Sequence, residues 1–191
     1  MAFLIPGTVH SIAMAEAEHI DDVFQKMFMT GDLALRQVAE LTGLPAHDIQ
    51  NWVKRGFLSP PQRKRYNLNQ VCRILNINML RNVLPMETIC GMLSYINGQL
   101  DDTSDDVIRD SDLYFIFVKL AATAPKQVQH PDALDGWLSE ALADYTEPIE
   151  GAKERIKEVL KIMLTAWAAA QLRNLAENMV LHALNKKENA L

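Results

Sequence analysis

The sequence predicts a mainly α-helical protein carrying one short β-element. Apolar residues recur at three- and four-residue spacing through most of the 191 residues. Gly and Pro, eight each, cluster between those runs, and Pro60-Pro61 breaks the periodicity over residues 57–66. With 49% apolar and 23% charged residues the chain has the composition of a protein that buries a core, not of a disordered one.

Residues 10–29 read as a first helix, with Ser11 as cap and Ile12, Ile20, Val23, Phe24, Met27 and Phe28 as a partial apolar stripe, so residues 1–32 form an N-terminal helical segment. "LALRQVAEL" (33–41) is a short amphipathic helix ended by Gly43. Pro45 opens a second helix through "AHDIQNWVKR", stopped at Gly56. Pro60-Pro61 forbids a helix over 57–66 and leaves a tight turn or short hairpin. Asn67 caps "LNQVCRILNINMLRNVL", and Pro85 suits the first turn of a helix from Met86 to Asn97, closed by Gly98. After an acidic stretch, "DDTSDDVIRDSD" (101–112), come the aromatic-rich helix "LYFIFVKLAATA", a helical segment over 132–144, and a long helix from about Pro148 to Leu184. In that last helix Ile149, Ala152, Ile156, Leu160, Met163, Trp167, Ala170 and Leu175 lie near one stripe. The natural division falls near 98–112, giving a unit at 33–98 and an all-α C-terminal unit at 105–191.

Charge is divided the same way. Residues 33–82 hold eight Lys/Arg (Arg36, Lys54, Arg55, Arg63, Lys64, Arg65, Arg73, Arg81) against two acids, a net of +6. The rest holds 11 against 22, a net of −11, although the whole chain carries only −5. A basic segment inside an acidic protein points to a polyanionic partner, and a basic patch that is merely solvated is the plainer alternative.

Residues 35–54, "LRQVAELTGLPAHDIQNWVK", fit a helix-turn-helix. Ala39 is small where the second helix approaches, Gly43 occupies the turn position that favours positive φ, and Val38, Leu44, Ile49 and Trp52 fall on the faces that pack the pair. The second helix then offers His47, Gln50, Asn51 and Lys54 to base edges and phosphates, with Gln50 and Asn51 suited to adenine. Arg63, Lys64 and Arg65 on the following wing are placed to grip phosphates, and so make affinity steeply salt-dependent.

Residues 33–97 resemble the MerR-type winged helix-turn-helix family. "GFLSPP" is similar to that family's exit from the recognition helix, "QRKRYNLNQV" to its wing and the tyrosine, here Tyr66, that leads into the third helix, and "ILNINMLRNVLPMETICGML" to its closing helix pair. The whole chain also resembles an uncharacterised bacterial family described as a MerR-like domain of unknown function. The wing is shorter than in MerR regulators and lacks their Gly-Tyr-Arg tip. Gln50-Asn51-Trp52 stands in place of the usual Arg-Tyr-Tyr, a departure that removes a phosphate-binding arginine; the short wing and the tryptophan are similar to excisionase-like relatives. The resemblance implies a cytoplasmic transcriptional regulator that binds double-stranded DNA as a homodimer, paired through the long C-terminal helix. DNA contacts then come from Arg36, His47, Gln50, Asn51, Lys54, Arg55, Arg63, Lys64, Arg65 and Tyr66. The competing reading is a protein–protein interaction module built on a winged-helix scaffold without DNA binding.

Other chemistry finds little support. "DDTSD" (101–105) has the spacing of a magnesium-binding motif but no second acidic cluster accompanies it. As a calcium loop 101–112 has Asp106 where glycine is needed and Asp112 where glutamate is preferred, so a solvated acidic linker is expected. His10, His19, His47, His130 and His182 are scattered, and Cys72 and Cys90 lack CxxC spacing. No catalytic triad, phosphate loop or dinucleotide fingerprint occurs; the expectation is a non-enzyme with no metal and no cofactor. Tyr114, Phe115, Phe117, Trp137, Tyr145 and Trp167 are either core or the lining of a pocket for a small apolar effector. The N-terminus has no basic region ahead of its apolar stretch, and "VLKIMLTAWAAAQL" falls short of a bilayer span, so neither secretion nor membrane insertion is expected.

Overall fold

A computed structural model of the chain describes residues 2–100, 106–123 and 131–188. The fold is mainly α, as the periodicity requires, with two small antiparallel pairs of strands among the described residues.

The N-terminus departs from expectation. Ser11 does not cap a helix: Ala2–Leu4 (β1) and Ser11–Ala13 (β2) form a hairpin, with Phe3 opposite Ile12. The helical pattern is overruled by the turn at Pro6-Gly7, where the Thr8 hydroxyl donates to the Ile5 carbonyl at 2.9 Å and accepts from the His10 amide at 3.0 Å. Gly7 has φ +77° and sits against the next layer so closely that a Cβ there would lie 2.5 Å from the Leu75 carbonyl oxygen. A 3-10 turn over Met14–His19 follows, and only then α1, Ile20–Phe28.

Leu33–Ala34 is a strand (β3), not the start of a helix, and pairs antiparallel with Arg65–Tyr66 (β4), Leu33 opposite Tyr66 and Ala34 opposite Arg65. Between them run α2, Leu35–Thr42, and α3, Ala46–Lys54. Then come α4, Leu68–Leu80; α5, Met86–Asn97; α6, Asp110–Thr123; α7, Pro131–Ala141; and α8, Ala152–Glu188. Asn67 caps α4 as expected, accepting from the Gln70 amide at 2.9 Å.

α4 is the axis of the molecule. Its buried Val71, Cys72, Ile74, Leu75, Ile77 and Leu80 meet α2 on one side, and α5, α6 and α8 on the others. The core is continuous from the N-terminal hairpin to the first half of α8. Phe24 packs edge-on to Tyr114 with centroids 5.6 Å apart, and the Tyr114 hydroxyl donates to the Pro6 carbonyl at 2.7 Å. Of the aromatic group, Tyr114 and Phe117 are fully buried, so they fill core.

Two other expectations change. Residues 101–105 of the acidic stretch lie outside the described residues, but 107–111 are no solvated linker. Val107 and Ile108 are buried, and the Asp110 carboxylate, at the start of α6, meets the Arg73 guanidinium at 3.3 Å. Burial raises the Asp110 carboxyl above its ordinary value, and Arg73 offsets part of that rise. The stripe on α8 runs out as well. Ala152, Ile156, Leu160 and Met163 are buried, but Ile149 before the helix and Leu175 within it are exposed. From Gln171 to Asn185 every residue of α8 is exposed, a stretch of about 22 Å tied to the body at its first turn by Arg173, which donates to the Asn82 carbonyl at 3.1 Å. Leu172, Leu175 and Met179, spaced i, i+3, i+7, are 67%, 56% and 65% exposed on it.

Candidate nucleic-acid interface

The pair α2–α3 forms because its apolar residues fall on facing sides. Val38, Leu41, Leu44, Ile49 and Trp52 are all buried, and Gly43 closes α2 at φ +70° with its amide on the Ala39 carbonyl. The N-terminal hairpin braces this turn from behind. The Val9 amide donates to Leu41, Asn78 bonds the carbonyls of Gly7 and Thr42, and a Cβ on Gly43 would meet Val9 Cγ1 at 2.5 Å.

With Ile49 and Trp52 turned inward, His47, Gln50, Asn51 and Lys54 share the opposite, exposed face of α3 at helical spacing. His47 Nε2 lies 3.2 Å from Asp48 Oδ1, and Asp48 also faces Arg81 at 3.9 Å. Lys54 enters no ion pair among the described residues.

Beside this face stands the turn before β4, the segment expected to act as a wing (hereafter the wing). Gln62 to Arg65 make a tight turn closed by a bond of 2.8 Å from the Arg65 amide to the Gln62 carbonyl, and its two central residues, Arg63 and Lys64, both have positive φ, 49° and 63°. That backbone ordinarily selects Asn-Gly. Here it carries two cations, both exposed and neither paired with a carboxylate among the described residues. Arg65 is exposed too and donates to the Asp32 carbonyl at 2.7 Å, which ties the wing to the chain entering β3. The base of the wing is held by Gln70, whose Nε2 reaches the Ser59 carbonyl, the Ser59 hydroxyl and the Pro60 carbonyl at 3.0–3.1 Å. Arg73 adds a bond to the Phe57 carbonyl. Neither residue is a candidate on sequence reasoning: Gln70 lies unremarked in the helix capped by Asn67, and Arg73 counts only as one more cation.

The remaining candidates are placed differently. Arg36 is exposed but engaged by Glu40 at 2.8 Å, which raises its pKa. Arg55 pairs with Glu87 at 2.7 Å and stacks over Phe57. Tyr66 is buried, 2% exposed, and burial pushes its phenol up. Thus Gln50, Lys54 and Lys64 line one crevice, with His47 and Asn51 on the same face of α3 and Arg63 and Arg65 in the same turn as Lys64, while Arg36 and Arg55 are each matched by a carboxylate at the surface. Between α3 and the wing lies an open crevice of about 600 Å³ lined by Leu35, Gln50, Val53, Lys54, Pro61, Lys64 and Tyr66, a feature with no separate sequence signal. Among the described residues no group of His, Cys, Asp or Glu can hold a metal ion, and no helix is long and apolar enough to cross a membrane.

A family model described as "Domain of unknown function (DUF1836)" matches residues 18–117, just over half of the chain. The uncharacterized protein YkrK of Bacillus subtilis (strain 168) is 35% identical over 78 residues, which are 39% of this chain and 34% of that protein. The chain therefore spans about a third of the length of the curated relative it matches. No solved structure matches it.

Proposed function

The chain belongs to the DUF1836 family, whose description names no activity, and on that premise we propose that the protein is a DNA-binding transcriptional regulator. In this reading α2–α3 is a helix-turn-helix, α3 enters the major groove, and the turn at Arg63-Lys64 is a wing on the phosphates. One observation carries it: His47, Gln50, Asn51 and Lys54 stand exposed on one face of α3, and Gln50 and Lys54 of that face share a crevice with Lys64, with no carboxylate paired to either lysine among the described residues. Gln50 and Asn51 present carboxamides, which meet adenine edges bidentately, while Lys54, Arg63, Lys64 and Arg65 displace counterions from phosphates. The protein acts as a homodimer through the projecting half of α8, placing two recognition helices on half-sites about 34 Å apart.

The test is fluorescence anisotropy with a labelled mixed-sequence duplex across a salt series. Tight binding at low salt with a steep loss as salt rises is expected. Replacing Arg63, Lys64 and Arg65 together with alanine flattens the log–log slope by about three. No binding at low salt removes the reading. The interaction-module alternative uses the same exposed Leu172, Leu175 and Met179 to seat a different protein in place of a second copy of the chain.

A further inference from the structure

We propose that the crevice between α3 and the wing seats one sugar–phosphate unit of a DNA strand, with the Tyr66 hydroxyl donating to a phosphate oxygen. This rests on the DNA-binding reading and adds to it a specific seat. Three features of the crevice match that ligand. Leu35, Val53 and Pro61 give it apolar walls, the surface that the carbon face of a deoxyribose covers. Lys54, from α3, and Lys64, from the wing turn, stand at its two sides, one on each element, and neither is neutralised by a carboxylate among the described residues.

The third is Tyr66 itself. Its ring is buried to 2% exposure as the partner of Leu33 in the β3–β4 pair, and what remains exposed faces the crevice. A fully buried tyrosine normally gives its hydroxyl a partner within the fold, as Tyr114 does with the Pro6 carbonyl. The Tyr66 hydroxyl makes no hydrogen bond among the described residues. The phenol is protonated at neutral pH in any environment, so its hydroxyl is free to donate to an acceptor arriving in the crevice. A phosphodiester supplies the acceptor, the anion between two lysines and the apolar sugar together. An apolar side chain of a protein partner would use the walls and leave the hydroxyl unmet.

The experiment compares the wild type with Tyr66→Phe and Lys64→Gln on a fluorescein-labelled mixed-sequence duplex of about 30 base pairs, long enough for two half-sites one helical turn apart. Tyr66→Phe is expected to weaken binding about tenfold at every salt concentration, with the slope unchanged because no charge is lost. Its melting temperature should equal that of the wild type, because the hydroxyl holds nothing in the fold. Lys64→Gln lowers the slope by about one. If the wild type binds DNA and Tyr66→Phe binds equally well, the seat is wrong and the DNA-binding reading stands; a protein-filled crevice gives this result. If Tyr66→Phe melts lower than the wild type, the hydroxyl is structural and the inference falls. If the wild type binds no duplex at low salt, the functional reading falls and takes the seat with it.

Discussion

Among the described residues, Arg63 and Lys64 hold the two backbone positions least suited to their side chains. Left-handed φ costs a residue with a Cβ roughly 1 kcal/mol, and here two such residues are adjacent in a turn that Asn-Gly would make without strain. Strained backbone of this kind clusters at binding sites, which is in keeping with the proposed phosphate-binding role of this turn. Substituting Arg63→Asn with Lys64→Gly should raise stability by about 1–2 kcal/mol in urea denaturation, while lowering the salt slope of DNA binding by about two. A double variant that is less stable than the wild type would show that the turn is relaxed as it stands. Legibility at this scale was uneven. Gly43 was readable because only a residue without a Cβ tolerates both φ +70° and the contact with Val9. The wing tip was not, because Pro60-Pro61 places a turn in the segment but nothing in Gln-Arg-Lys-Arg marks its corner. Charge alone could not separate Arg63 and Lys64 from Arg36 and Arg55, because the carboxylates that claim the latter pair lie on helix faces: Glu40 one turn along α2, and Glu87 across space on α5.

Among the elements, α2–α3 and α4 follow their sequence patterns closely, since Val38, Leu44, Ile49, Trp52 and the Asn67 cap are local signals that burial reinforces. The N-terminal hairpin reverses its pattern. Phe3 and Ile5 find a core only when the hairpin forms and packs on the Met14–His19 turn, with Pro6 and Gly7 held against α6 and α4, a tertiary gain that outweighs helix propensity. α8 follows its pattern for half its length and then leaves the core. Its exposed seam predicts self-association: Leu172→Glu with Met179→Glu should convert a dimer to a monomer by light scattering while leaving the far-ultraviolet circular dichroism unchanged. A wild type that is monomeric at every concentration would remove the pairing from the functional reading, and with it the two-half-site geometry.

Among the described residues, the basic and acidic halves are joined through a continuous core and the buried Arg73–Asp110 ion pair. Arg73, with a side chain 4% exposed, touches the base of the wing through Phe57 and the first turn of α6 through Asp110. Variants retaining only Trp52 or only Trp167 should therefore lose fluorescence in a single coincident urea transition. Asp110→Asn, which leaves the Arg73 charge buried without its counterion, should lower the unfolding free energy by about 3 kcal/mol. Two separated midpoints would make residues 33–98 and 105–191 independent units, as charge and composition alone divide them. The tethering of the wing by Gln70, Arg65 and Arg73 has a thermodynamic corollary. Its conformational freedom is surrendered during folding, so a ligand arriving there meets a surface already in shape. Calorimetry of complex formation should then show a heat-capacity change limited to rigid-body docking, without the large negative excess that accompanies a segment ordering on its target.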